Sequence, residues 1–195
     1  MRKLEKLMFQ NQFDELNNMV RWNGFNRIND ETVGHHSFIV SWITRIICEN
    51  IFVDAKPILD CTTYAIFHDF NEFITGDVNH NVKYNQFNGE SIRNSLDEFI
   101  SWYVDKNFPK SLDKTSILLN KMLKEEIDPF VKKIVKVADW MSMLMYLHKE
   151  YSLGNRNAEL RIDYCKEKLQ NAVIDAVKSL KNNCKYKVDC SILID

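Results

Sequence analysis

The chain is expected to be all-α, and three observations predict it. Across 195 residues there are only 5 Gly and 3 Pro, too few breakers for many short strands and tight turns. Apolar residues return with a 3.6-residue period almost from end to end. Hydrophobic residues make up 45% and charged residues 27%, the balance of a soluble globular chain long enough to bury a core. With no internal repeat, low-complexity tract or linker, one domain is expected over 1–195, with its core at about 21–155 and a C-terminal helix and tail at 156–195.

Leu4, Leu7, Met8, Phe13, Leu16, Met19 and Val20 predict a first amphipathic helix leading to Arg21-Trp22. Gly24 and the polar residues 26–30 read as a loop, with Asn29 or Asp30 as the cap of a helix over about Glu31–Asn50. Pro57 suits the first turn of a third helix running through Ile58, Cys61, Ala65 and His68 to about Phe73, broken by Thr75-Gly76-Asp77. Val78–Asn88 reads as a loop. Helices follow over about Gly89–Lys106 and Ser111–Ile127. Asp128-Pro129 is a cap and first-turn pair opening an apolar helix to Leu153, which Gly154 closes. Ala158–Asn182 is the last amphipathic helix, ahead of a tail from Cys184.

A net charge of -1 provides no basic field for a nucleic-acid polymer, though a small anion needs only a few placed charges. No apolar run approaches a membrane span, and Met1-Arg2-Lys3-Leu4-Glu5-Lys6 lacks a signal-peptide core. Five cysteines, an odd number with no C-x-x-C pair, read as reduced thiols of a cytoplasmic protein.

Four residues carry the chemistry. His36, the adjacent His68-Asp69, and Asp139 each lie on an otherwise apolar helix. A carboxylate there is desolvated and needs compensation. Taken singly, each has an ordinary interpretation: a hydrogen-bonded core histidine, or an aspartate paired with Lys132, Lys133 or Lys136. Taken together, two imidazoles and two carboxylates form a donor set for one divalent transition ion, Co, Mn, Zn, Fe or Ni, with room left for water and a substrate oxygen. Glu72 follows His68 by four residues and shares its face on a continuing helix. It is placed to take the proton of a water acidified by the ion. Arg21 offers a planar donor fork for phosphate and Trp22 a flat apolar wall, although the pair by itself reads more ordinarily as an Arg snorkelling beside a core Trp. His35 points about 100° away from His36 on a helix, outside the ligand set. Met141, Met143 and Met145 read as core or dimer packing.

The order His, His-Asp, Asp resembles the signature of the HD-domain superfamily. More of the chain resembles one branch, the YfbR-like 5′-deoxynucleotidases, through Arg21-Trp22, Glu31-Thr32-Val33-Gly34-His35-His36-Ser37, His68-Asp69-Phe70-Asn71-Glu72, Thr75-Gly76-Asp77, Lys83, Lys136-Val137-Ala138-Asp139, and Glu150 with Gly154-Asn155. The resemblance implies an HD-domain helical bundle and a homodimer. It makes His36, His68, Asp69 and Asp139 the metal ligands, with His68, Asp69 and Glu72 catalytic. It further implies Arg21 on the phosphate, Trp22 against the sugar and Asp77 accepting from the 3′-hydroxyl; Lys83, in the loop after Asp77, reads as a second positive charge near the phosphate. The implied reaction is hydrolysis of 2′-deoxyribonucleoside 5′-monophosphates. The alternatives are a deoxynucleoside triphosphate hydrolase of the viral dATPase type and a non-catalytic nucleotide-binding module. The family often has prolines where this chain reads Val78-Asn79-His80-Asn81-Val82. Phe73 after Glu72 departs from the acidic pair of alarmone hydrolases, and no Gly-Tyr-Pro of cyclic dinucleotide phosphodiesterases occurs.

Overall fold

The computed structural model describes residues 11–12, 14–84, 86–107, 121–122, 127–182 and 186–188. Residues 14–18 are helical, and the further helices are Val33–Ile51, Ala55–Phe67, Glu72–Thr75, His80–Lys83, Gly89–Asn107, Pro129–Ser152 and Ala158–Lys181. Two isolated bridges, Val20↔Thr32 and Phe52↔Val188, are the extended pairings among the described residues. The all-α expectation is met. Most of the helix expected over Ser111–Ile127 falls outside the described residues, as do Leu4, Leu7, Met8, Phe13, Cys184 and Cys190.

The chain divides into two compact units. The first draws on Met1–Phe25, Asp30–His36 and Phe67–Glu126. Its core holds Leu16, Val33, Phe70, Ile100 and Val104, edged by Met19, Phe67, Phe73, Ile74 and Tyr103. Ile100, Tyr103 and Val104 have the i, i+3, i+4 spacing of one helix face, so a single stripe of Gly89–Asn107 is buried.

Two sequence expectations are corrected in this unit. The helix foreseen from Pro57 to Phe73 ends at Phe67, residues 68–71 form a turn, and Glu72 opens a separate short helix. The cause is the run Phe67, Phe70, Phe73, whose rings meet edge to face with centroids 5.4 and 5.3 Å apart. Residues spaced by three share a face only if the chain tightens to three per turn. It does: the Phe70 and Glu72 N–H groups donate to the carbonyls of Phe67 and Asp69 at 2.9 and 3.0 Å. The second correction concerns the start of the next helix upstream. The Arg21 N–H donates to the Glu31 carbonyl at 2.8 Å, and the Val33 N–H to Met19 at 2.9 Å. Residues 31–32 are thereby held extended and the helix begins at Val33, with the Thr32 hydroxyl, rather than Asn29 or Asp30, accepting from the His35 N–H at 3.2 Å.

The second unit comprises Asn26–Asn29, Ser37–Ile66 and Ile127–Asp195. Asp128 caps Pro129–Ser152 by accepting the Phe130 N–H at 3.0 Å, and Gly154, at φ 102°, closes it as expected. This helix buries Phe130, Ile134, Val135, Ala138 and Leu147. Ala158–Lys181 buries Ala158, Ile162, Cys165, Ala176 and Leu180, and Trp140 meets Tyr164 edge to face at 6.1 Å. Cys48, Cys61 and Cys165 are buried free thiols, as the sequence suggested for core cysteines. A hydrogen bond with Cys48, then burial, pushes the Cys61 thiol far up, and burial pushes Cys165 up to about 11. Both thiols are held in the unreactive protonated form.

Glu150, fully buried, ties residues 26–29 to this unit. Its carboxylate accepts the Ile28 and Asn29 N–H groups, each at 2.7 Å, and the Asn155 side-chain amide at 2.8 Å. Asn155 also donates to the Asn26 carbonyl at 2.6 Å, and the Tyr146 hydroxyl to that of Asn29 at 2.7 Å. Burial alone would raise the Glu150 pKa, but the hydrogen bonds from Asn155, Ile28 and Asn29 outweigh it and hold it below the usual carboxylate range.

Candidate metal centre

Three side chains of the first unit converge. Thr32 sets the helix start so that His36 falls on the buried face with Val33 and Val40, while His35 is exposed as expected. The tight turn anchored by Phe70 projects His68 and Asp69 from the end of helix Ala55–Phe67. The His36 and His68 rings lie 5.3 Å apart. Their Nε2 atoms are 3.7 and 3.3 Å from the Asp69 Oδ2. One donor atom from each of the three residues falls within 4.8 Å of the other two. Two imidazole nitrogens and a carboxylate oxygen at such separations match what one divalent transition ion takes up, and leave further coordination positions for water and substrate. The donor set fits a metal.

Glu72 lies beside this cluster. It is buried, and its Oε2 has no hydrogen-bond partner among the described residues, the mark of an acceptor kept for a ligand or water. Burial first, then the Asp69 carboxylate and Asp77, push its carboxyl up to about 8 against the pull of Arg21 and Lys83. Glu72 reaches this place from the first residue of its own short helix, with the turn 68–71 in place of the continuous helix face that the spacing suggested.

Of the remaining expected residues of this unit, Arg21 and Lys83 reach the cluster directly. Arg21 Nη1 is 3.2 Å from Asp69 Oδ2. Trp22 has φ 67°, a left-handed backbone that non-glycine residues rarely adopt, and such strain gathers at functional sites. Lys83 is the last residue of a single helical turn, His80–Lys83, where a loop was expected, and its Nζ lies 3.6 Å from Glu72 Oε1. Arg93 braces that turn by donating to the Lys83 carbonyl at 2.6 Å while its guanidinium sits 4.9 Å over the Tyr84 ring. Asp77 accepts at its backbone carbonyl from the Asn23 amide at 3.0 Å, and Asn79 donates to the Asn23 carbonyl at 2.5 Å. The segment carrying Asp77 is thus pinned to the residue after Trp22. Asp139 belongs to the second unit, where it is buried and receives the Lys136 ammonium at 2.7 Å.

Glu31 is the residue whose part the sequence did not reveal. It read as the start of a helix, and only the pairing of Val20 with Thr32 brings its buried carboxylate to the Trp22 indole, whose Nε1 donates to Oε2 at 3.0 Å. Arg93 was equally invisible, since its partner is a backbone carbonyl.

The family model described as 5′-deoxynucleotidase YfbR-like matches residues 8–186. The chain belongs to this YfbR-like family. A 5′-deoxynucleotidase of Shewanella oneidensis is 27% identical over 88% of this chain and 85% of its own. The 4′-phosphooxetanocin A phosphatase of Priestia megaterium is 25% identical over 88% of this chain and 94% of its own. Among solved structures, an HD-domain phosphohydrolase from Listeria innocua has a TM-score of 0.63 at 17% identity, covering 91% of this chain and 90% of that one. A cyanophage S-2L HD phosphohydrolase bound to dA and one catalytic Zn2+ ion has a TM-score of 0.55 at 13% identity, covering 89% and 96%. The fold of this YfbR-like chain is therefore that of the HD-domain phosphohydrolases. Among its described residues no helix is long and apolar enough to cross a membrane.

Proposed function

We propose that this YfbR-like chain hydrolyses 2′-deoxyribonucleoside 5′-monophosphates to deoxynucleoside and phosphate. The observation that carries the proposal is the convergence of His36, His68 and Asp69 beside a buried Glu72 whose Oε2 is left unbonded. Asp139 is proposed as the fourth ligand on its place in the family order and its burial, in exchange for the bond from Lys136. These residues would hold a divalent ion, which would supply Lewis-acid chemistry toward the phosphoryl oxygen and the attacking water.

The protein's own groups do the rest. Arg21 turns its donor fork to the phosphoryl oxygens and offsets the charge that grows there in the transition state. Glu72 orients the attacking water and takes its proton as the new P–O bond forms and the bond to O5′ breaks; the proton then passes to the leaving oxygen. Lys83, close to Glu72 Oε1, favours the ionised carboxylate needed for that transfer. Trp22 forms the wall against C2′, and Asp77 accepts from the 3′-hydroxyl.

The monophosphate is favoured over the triphosphate by the position of Lys83, which is directed to Glu72 rather than free to meet outer phosphates. The native ion is proposed to be one of Co, Mn, Zn, Fe or Ni, in keeping with the mixed nitrogen and oxygen donors. A cytoplasmic homodimer completes the reading, supported on the first count by the buried reduced thiols. The test is product analysis on a panel of ribo- and deoxynucleotides, mono- and triphosphate, with each metal. Orthophosphate from deoxynucleoside monophosphates, with ribonucleotides refused, is expected; release of triphosphate would overturn the proposal.

A further inference from the structure

We propose that Glu31 is a positioning residue whose buried carboxylate locks the Trp22 ring and thereby sets the preference for a sugar without a 2′-hydroxyl, an inference that rests on the assignment of Trp22 to the sugar wall. Glu31 is 4% exposed. Its Oε2 accepts the Trp22 Nε1 hydrogen at 3.0 Å and lies 3.9 Å from Arg21 Nε. The two segments are also joined through the backbone, by the Arg21 N–H on the Glu31 carbonyl at 2.8 Å and the pairing of Val20 with Thr32.

This arrangement does more than fill space. The left-handed backbone of Trp22 aims its side chain, the indole hydrogen bond holds the ring's rotation, and the Phe25 ring stands 5.9 Å from it on the chain's next turn. A tryptophan has only two rotatable side-chain bonds, so one hydrogen bond to a buried carboxylate restricts the remaining freedom. Rigidity is what a wall needs in order to discriminate. A ring free to swing would make room for one added hydroxyl, whereas a fixed ring rejects it by contact. The same carboxylate steadies Arg21, whose Nη1 is 3.2 Å from Asp69 Oδ2 on its other side. One buried acid thus bears on both Trp22 and Arg21.

The experiment compares kcat/KM for deoxyadenosine and adenosine 5′-monophosphates in the wild type, Trp22→Ala, Trp22→Phe, Glu31→Gln, Glu31→Ala and Trp22→Phe/Glu31→Ala. Trp22→Phe keeps a ring and removes the N–H, so it remains informative even if Glu31→Ala folds poorly. Trp22→Phe and Glu31→Ala are each expected to lower the deoxy-to-ribo ratio about tenfold, or ~1.4 kcal/mol. The double variant should lower it no further, because the Trp22–Glu31 hydrogen bond that sets the ratio is lost in either single change. Glu31→Gln should retain most of the ratio, since the amide oxygen still accepts the indole hydrogen, while KM rises for both nucleotides as Arg21 loses its neighbouring charge. A ratio changed by Trp22→Ala but unmoved by Trp22→Phe and the Glu31 variants would overturn the role of Glu31 alone. Independent, multiplying effects in the double variant would do the same. A ratio unmoved by Trp22→Ala would overturn the sugar-wall assignment and the role of Glu31 with it.

Discussion

Replacing Glu150 by Gln should destabilise the protein by about 2–4 kcal/mol at neutral pH. The figure follows from its three hydrogen bonds. Oε2 accepts from the Ile28 N–H at 2.7 Å and the Asn155 amide at 2.8 Å, and Oε1 accepts from the Asn29 N–H at 2.7 Å. A glutamine can place its oxygen where two of these donors meet, but its NH2 then faces the Asn29 N–H, donor against donor. One orphaned donor facing this buried carboxylate site costs about 1–3 kcal/mol, and loss of charge assistance on the other two adds roughly 1 kcal/mol. The pH dependence has a definite sign. Because the folded-state pKa of Glu150 is lowered, its contribution is complete above the unfolded value of about 4.3 and is lost as pH falls through the folded value beneath it. Chemical denaturation of both proteins at pH 7 and at progressively lower pH measures the gap. It should narrow only in the acid range. A gap under about 0.5 kcal/mol at pH 7, or one that is the same at every pH, would refute the reasoning.

Other substitutions probe the site. Glu72→Gln should lower kcat by about 10²–10⁴ with bound metal unchanged, as expected for loss of a proton acceptor; elemental analysis of the same samples checks the second half. Asp139→Ala should lose metal and turnover while Lys136→Ala keeps both, because the lysine is the partner to be exchanged; metal retained in Asp139→Ala would return the aspartate to a purely structural ion pair. Gly24→Ala should cost about 1 kcal/mol or more in thermal denaturation, since Gly24 has φ 81° and an added Cβ would stand 2.9 Å from the Asn79 amide nitrogen.

The fold class and the long helices were legible because apolar periodicity survives without tertiary knowledge. Pro129–Ser152 appears with its Asp128 cap and Gly154 stop where the local signals put them. The break at His68 was not legible, because Phe67, Phe70 and Phe73 also fit a helical pattern and only their common packing forces the tighter turn. The start of the helix carrying His36 was missed by two residues for a similar reason, as the pairing with residues 19–21 holds 31–32 extended. At the site, His36, His68 and Asp69 could be named from their order and are brought together in space. The companions Glu31 and Arg93 could not, since a glutamate in the extended pair 31–32 and an arginine on a surface helix carry no spacing signal. Their roles come from partners distant in the chain or from a backbone carbonyl.

Catalysis is proposed to rest on an ion held by His36, His68 and Asp69, without which the phosphate ester is not cleaved. The most direct measurement counts bound divalent metal and phosphate released from a deoxynucleoside 5′-monophosphate on the same samples of wild type and Asp69→Asn. A single ion per wild-type chain is expected, with metal and turnover lost together in the variant while it remains folded. Undiminished phosphate release by a folded, metal-depleted Asp69→Asn protein would contradict it.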